Sequence, residues 1–143
     1  MATYEVDFHD WIEEQATLLK TGQLARLDVP HLIEELESMS ARERRELINW
    51  LAVLLAHLLK WQYQPERRCT SWRLTINEQR RQLALLLEDS PGLAKRLPEF
   101  LARSYQNATR AALDETGFLK SPFPEECPYY IGNILDQEFW PAE

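Results

Sequence analysis

The sequence predicts an all-α fold, a single-domain bundle of five to six helices around a central apolar helix. Three observations carry that prediction. Apolar residues recur at spacings of three and four along most of the chain, and no stretch alternates with a period of two. The run from Leu47 to Leu59 leaves almost no polar face, so other helices must surround it. Cap residues, glycines and prolines punctuate the chain at helix-length intervals.

Phe8, Trp11, Ile12, Leu18 and Leu19 recur at helical spacing, Asp7 and Asp10 suit the positive end of a helix dipole, and Gly22 is a terminator, which predicts a first helix over about residues 7–21. Asp28 caps a second, short helix that tolerates Pro30 in its first turn and sets Leu32, Ile33, Leu36 and Met39 beside the acidic Glu34, Glu35 and Glu37. Ser40 and Glu43 form a capping-box pair, so the chain is expected to restart or bend there. The long third helix then runs from Ala41 to about Tyr63 and is stopped by Pro65.

Thr70 or Ser71 caps a fourth helix that ends near Asp89, with Trp72, Ile76, Leu83, Leu86 and Leu87 turned inward. Ser90 and Pro91 open a fifth, in which Pro98 predicts a kink before the run to Gly117. Residues 118–143 read as a C-terminal strap with one short helix, roughly 128–136. Its Phe123, Tyr130, Ile131, Leu135, Phe139 and Trp140 are too apolar to be left in water.

A chain of 143 residues with 45% hydrophobic and 27% charged side chains has the composition of one ordinary globular domain. The pI near 5.0 disfavours a general nucleic-acid coat, whose affinity comes from neutralising phosphates. Cys69 and Cys127 stand far apart without CxxC spacing and read as reduced thiols of a cytoplasmic protein. The acidic start MATYEVDFHDWIEE is the opposite of a signal peptide, and Leu47–Leu59, interrupted by Asn49 and His57, is too short to span a membrane.

Charge is unevenly spread. Between His57 and Arg81, Lys60, Arg67, Arg68, Arg73, Arg80 and Arg81 against Glu66 and Glu78 give +4, in a chain whose net charge is −7. The segments IEELES, LLAHLLKWQYQPERR, SWRLTINEQRR, LLEDSP, FPEECPY and the terminal FWP together resemble the bacterial family known as domain of unknown function 29, over nearly the whole chain. That resemblance implies an all-helical single domain and brings no activity, cofactor or catalytic residue with it.

Trp61, Arg67, Arg68, Trp72, Arg73 and Arg80 are the candidate ligand-binding residues. They surround the predicted start of the fourth helix, where free N–H groups favour an anion such as a phosphorylated ligand or single-stranded nucleic acid. The same residues could instead tie a loop to the bundle by stacking arginines on tryptophans and pairing them with acids. That structural use is favoured, with Asp114 and Glu115 as the expected partners of Arg67 and Arg68. A metal at His31, His57 and Glu34 or Glu35 is a third reading, disfavoured because no ExxH pair is present. No catalytic residue, metal or cofactor is assigned. The function expected is an interaction or regulatory module that binds a partner protein, with self-association through aromatic surface left by the first helix or the tail; no membrane partner is expected.

Overall fold

The computed structural model describes residues 3–142, and among them the chain forms six α-helices and no strand. α1 (Phe8–Lys20) starts where the Asp7 carboxylate accepts the Asp10 N–H at 3.0 Å. It stops at Gly22, which takes φ +72° while Gly22 N–H and Gln23 N–H reach back to Leu19 and Leu18 carbonyls. This left-handed turn satisfies two end carbonyls and is cheap only for glycine.

α2 (Val29–Tyr63) is a single helix of 35 residues, so the expected restart at Ser40 does not occur. The Ser40 and Glu43 pair is flanked on both sides by strong helix formers. Breaking the helix there would forfeit several backbone hydrogen bonds for the two that a capping box supplies. Gln64 ends the helix, and Pro65–Arg67 form a 3-10 turn. α3 (Thr70–Asp89) is preceded by Cys69 rather than by Thr70 or Ser71: Cys69 is fully extended, at φ −148° and ψ 167°, so Thr70 is already helical and no side chain caps this end.

α4 (Pro91–Lys95) and α5 (Leu97–Thr116) replace the kinked fifth helix of the sequence reading. Proline 98 cannot donate to the carbonyl four residues back. The chain therefore breaks at Arg96, two residues earlier, and Pro98 falls in the first turn of α5, where a missing N–H costs nothing. α6 (Ile131–Leu135) is the short helix of the tail.

Packing divides the chain into two compact units, Met1–Arg42 and Glu43–Glu143, with the division inside α2. The second unit holds the main core. Leu47, Leu51, Leu54, Leu55, Leu58 and Leu59 of α2 are essentially inaccessible, and Ile76 and Leu83 of α3 and Ala108 and Ala112 of α5 close around them. From the tail come Phe123, Tyr129 and Ile134. The expected Tyr130 is 81% exposed instead, because the extended residue before α6 turns Tyr129 inward and its neighbour out. Tyr129 donates to the Gln62 side-chain oxygen at 2.7 Å, and Tyr105 to the Pro124 carbonyl at 2.6 Å, so the tail is held by polar contacts as well as by burial. In the first unit the buried side chains among the described residues are Trp11, Gln15 and Leu18, all on α1. Among the described residues no helix is long and apolar enough to cross a membrane.

Candidate functional site

The Arg and Trp residues singled out by the sequence divide into those the fold consumes and those it leaves. Arg80 is 1% exposed; its Nε donates to the Ile134 carbonyl and its Nη2 to that of Phe139, both at 2.8 Å. Its guanidinium lies over the Trp140 ring, 5.6 Å from the centroid. Trp140 packs on Trp61 with centroids 4.6 Å apart, and Arg68 lies over Trp61 at 5.1 Å while donating from Nε to the Trp61 carbonyl at 2.7 Å. A line of contacts Arg80, Trp140, Trp61, Arg68 thus joins α3, the tail, α2 and the loop after it. Burial lowers the pKa of Arg80, while the Asp136 carboxylate pulls the other way.

Trp72 is covered by Lys60, whose Nζ is 5.1 Å from the ring centroid and 2.5 Å from a Glu115 oxygen. Glu115 therefore pairs with Lys60, not with the expected Arg67 or Arg68. A lysine buried to 6% exposure needs a carboxylate more than a solvated arginine does. Arg67 and Arg73 are exposed and have no carboxylate partner among the described residues.

The histidines separate as well. His57, half-buried, has Nδ1 2.8 Å from the Val53 carbonyl, so that nitrogen carries a proton; desolvation lowers its pKa, against the opposing pull of that hydrogen bond. His31 belongs to a network in the first unit that the sequence reading passed over. The Asp28 carboxylate accepts from His31 Nδ1 at 2.7 Å and from Trp11 Nε1 at 3.0 Å, and the Asp28 N–H donates to buried Gln15 at 2.8 Å. Tyr4 stacks on His31 at 4.2 Å and donates its hydroxyl to Glu35. Tyr4, Trp11, Gln15, Asp28 and His31 line a cavity of about 360 Å³. The hydrogen bond to Glu35 pushes the Tyr4 pKa up to about 12. The bond between them lowers Asp28 and raises His31, against the opposing effect of burial in each case. A hint was available in the sequence: Asp28 and His31 are three residues apart at a helix start, where side chains meet. Among the described residues, no group of three His, Cys, Asp or Glu is placed to hold a metal, and His31, Glu34, Glu35 and His57 form none.

The first unit also leaves apolar side chains in solvent. Phe8, Ile12 and Leu19 of α1 are 45%, 40% and 52% exposed, and Val29, Ile33 and Leu36 of α2 are 49%, 49% and 65% exposed.

Fold and site together define an all-helical protein in which Arg68, Arg80, Trp61 and Trp140 pack on one another and most of the exposed large apolar side chains among the described residues lie on the first unit. The chain belongs to the family described as Domain of unknown function DUF29, which it matches over residues 3–140. No curated protein and no solved structure matches it.

Proposed function

We propose that this protein is a protein-interaction module and that its docking face is on the first unit. The observation that carries the reading is the distribution of exposed apolar side chains: of the fourteen large ones among the described residues, nine lie before Arg42. They are ordered along the helices. At about 100° per residue, Phe8, Ile12 and Leu19 fall within about 40° of one another on α1, adjacent to the arc through which Trp11 and Leu18 are buried. α1 thus has an apolar arc about twice as wide as the unit covers. Val29, Ile33 and Leu36 make a comparable stripe on α2. Ordered apolar faces left exposed are the usual mark of a binding surface.

The test is capture with the intact protein, comparing wild type with Ile33→Ser/Leu36→Ser. A partner recovered by the first, lost by the second and re-bound when both proteins are pure supports the reading; an identical recovered set from both overturns it. Because the two residues are exposed, the double variant should keep its helical circular dichroism and melting temperature.

The alternative, a phosphorylated ligand or single-stranded nucleic acid on Trp61, Arg67, Arg68, Trp72, Arg73 and Arg80, loses the stacking faces it needs. Trp61 is taken by Arg68 and Trp140, and Trp72 by Lys60. What favours it is the pair Arg67 and Arg73 beside an α3 start that no side chain caps. A rise in melting temperature with phosphate beyond that with chloride at equal ionic strength, abolished by Arg67→Ala/Arg73→Ala, would restore it.

A further inference from the structure

The first unit is acidic as well as apolar. Up to Arg42 the sequence holds nine acidic and three basic residues, a net −6, which leaves −1 of the chain's −7 to the second unit. Within the helical stretches that carry the apolar stripes, Asp10, Glu13, Glu34 and Glu37 are all exposed. None of the four is in an ion pair among the described residues. The three cations of the unit, Lys20, Arg26 and Arg42, stand at the end of α1, in the turn after it and at the end of the unit, not among those acids.

Resting on the protein-interaction reading above, we infer that the α2 stripe of Val29, Ile33 and Leu36 receives a basic amphipathic helix of a partner protein, its apolar side on the stripe and its lysines or arginines on the α2 carboxylates beside it, Glu37 about 40° round the helix from Ile33 and Glu34 further on. Charge decides between occupants. A second copy of this chain would bring another unit of net −6 against the first, and like charge at an interface is penalised. An anionic lipid surface is repelled for the same reason. A cationic helix gains on both counts, because the apolar stripe anchors it and the carboxylates steer it in and set its orientation.

The probe is a designed amphipathic Leu/Lys helical peptide, with a Leu/Glu peptide of identical apolar face as its partner control, titrated into the full-length protein by calorimetry at physiological ionic strength. The expected result is binding of Leu/Lys and not of Leu/Glu, weakened about tenfold by Ile33→Ser/Leu36→Ser, by Glu34→Gln/Glu37→Gln, and by raising salt to 0.5 M. Binding of Leu/Lys that is indifferent to Ile33→Ser/Leu36→Ser would be a polycation on an acidic surface and overturns the inference. If both peptides bind and both depend on Ile33 and Leu36, the docking face stands and the basic partner does not. If neither binds but the protein self-associates through Ile33 and Leu36, the occupant is a second copy, and again only the inference fails. If neither binds and the protein is monomeric, the inference is overturned and the interaction reading loses its support with it.

Discussion

His31 is placed to make the first unit sensitive to pH, and the sign follows from its partner. Asp28 accepts from Nδ1 at 2.7 Å and so favours the imidazolium. Its folded pKa is raised above the ordinary value near 6.5. Facing it are Asp28 and Glu34 of α2 and its N-cap, Glu5 and Tyr4 of the N-terminal segment, and Trp11 of α1. A raised folded value means that the stabilisation is complete below about pH 6.5 and is lost as pH climbs through that folded value. Asp28 is lowered, so its own contribution holds above about pH 3.9 and fades as acid takes pH below it. His57, lowered by burial, works against His31 near neutrality. The clean measurement is therefore a difference: wild type minus His31→Asn, by amide exchange of α1 at pH 6 and pH 8. Greater protection of the wild type at pH 6 that shrinks at pH 8 is expected; a difference independent of pH would show that the ring only packs. Arg80 is the other residue whose loss should be felt. Three main-chain carbonyls of the tail accept from it. Arg80→Leu removes charge-assisted bonds worth about 1.5–3 kcal/mol each before relaxation. A melting temperature within a degree or two of wild type would show that water replaces the guanidinium.

At the level of elements, the tail is the part whose removal tests the core. Phe123, Tyr129 and Ile134 are buried, and burying each such side chain is worth roughly 1.5–3 kcal/mol against a total stability of about 5–15. Ending the chain before Ser121 should therefore abolish cooperative melting; a truncated form that melts as before would make the tail an appendage. The tail's docking was legible because its apolar residues had no other use, but which tyrosine turns inward was not: Tyr129 and Tyr130 differ only by the register of an extended link, and composition is blind to register. The same division holds elsewhere. Leu47–Leu59, Gly22, Pro65 and Gly117 announce themselves because each forces one backbone outcome. Ser40, Pro98 and Cys69 misled or escaped notice because their local preferences compete with neighbouring helix propensity, and the winner is set by whole-helix hydrogen bonding. The Arg and Trp cluster was visible as a cluster. That Arg80, Trp140, Trp61 and Arg68 meet is a tertiary fact, since Trp140 lies 79 positions from Trp61 along the chain.

The whole molecule sets apolar attraction against like-charge repulsion, and salt is the variable that separates them. At ionic strengths near 0.1 M the Debye length is about 10 Å, so two first units of net −6 repel before their apolar stripes touch. At 1 M it falls to about 3 Å, and the attraction between exposed Ile33, Leu36 and their neighbours is undiminished. The protein should therefore be monomeric at low and moderate salt and begin to self-associate at high salt, the reverse of an assembly held by ion pairs. Light scattering coupled to gel filtration at 0.05, 0.15 and 1 M sodium chloride reads this directly. Ile33→Ser/Leu36→Ser should remain monomeric throughout, and Glu34→Lys/Glu37→Lys should associate at lower salt than wild type, because it removes four negative charges' worth of repulsion from the stripe of each copy. A wild-type oligomer that forms at 0.05 M and dissolves with salt would place the dominant contact between opposite charges and move the docking face away from the apolar stripes.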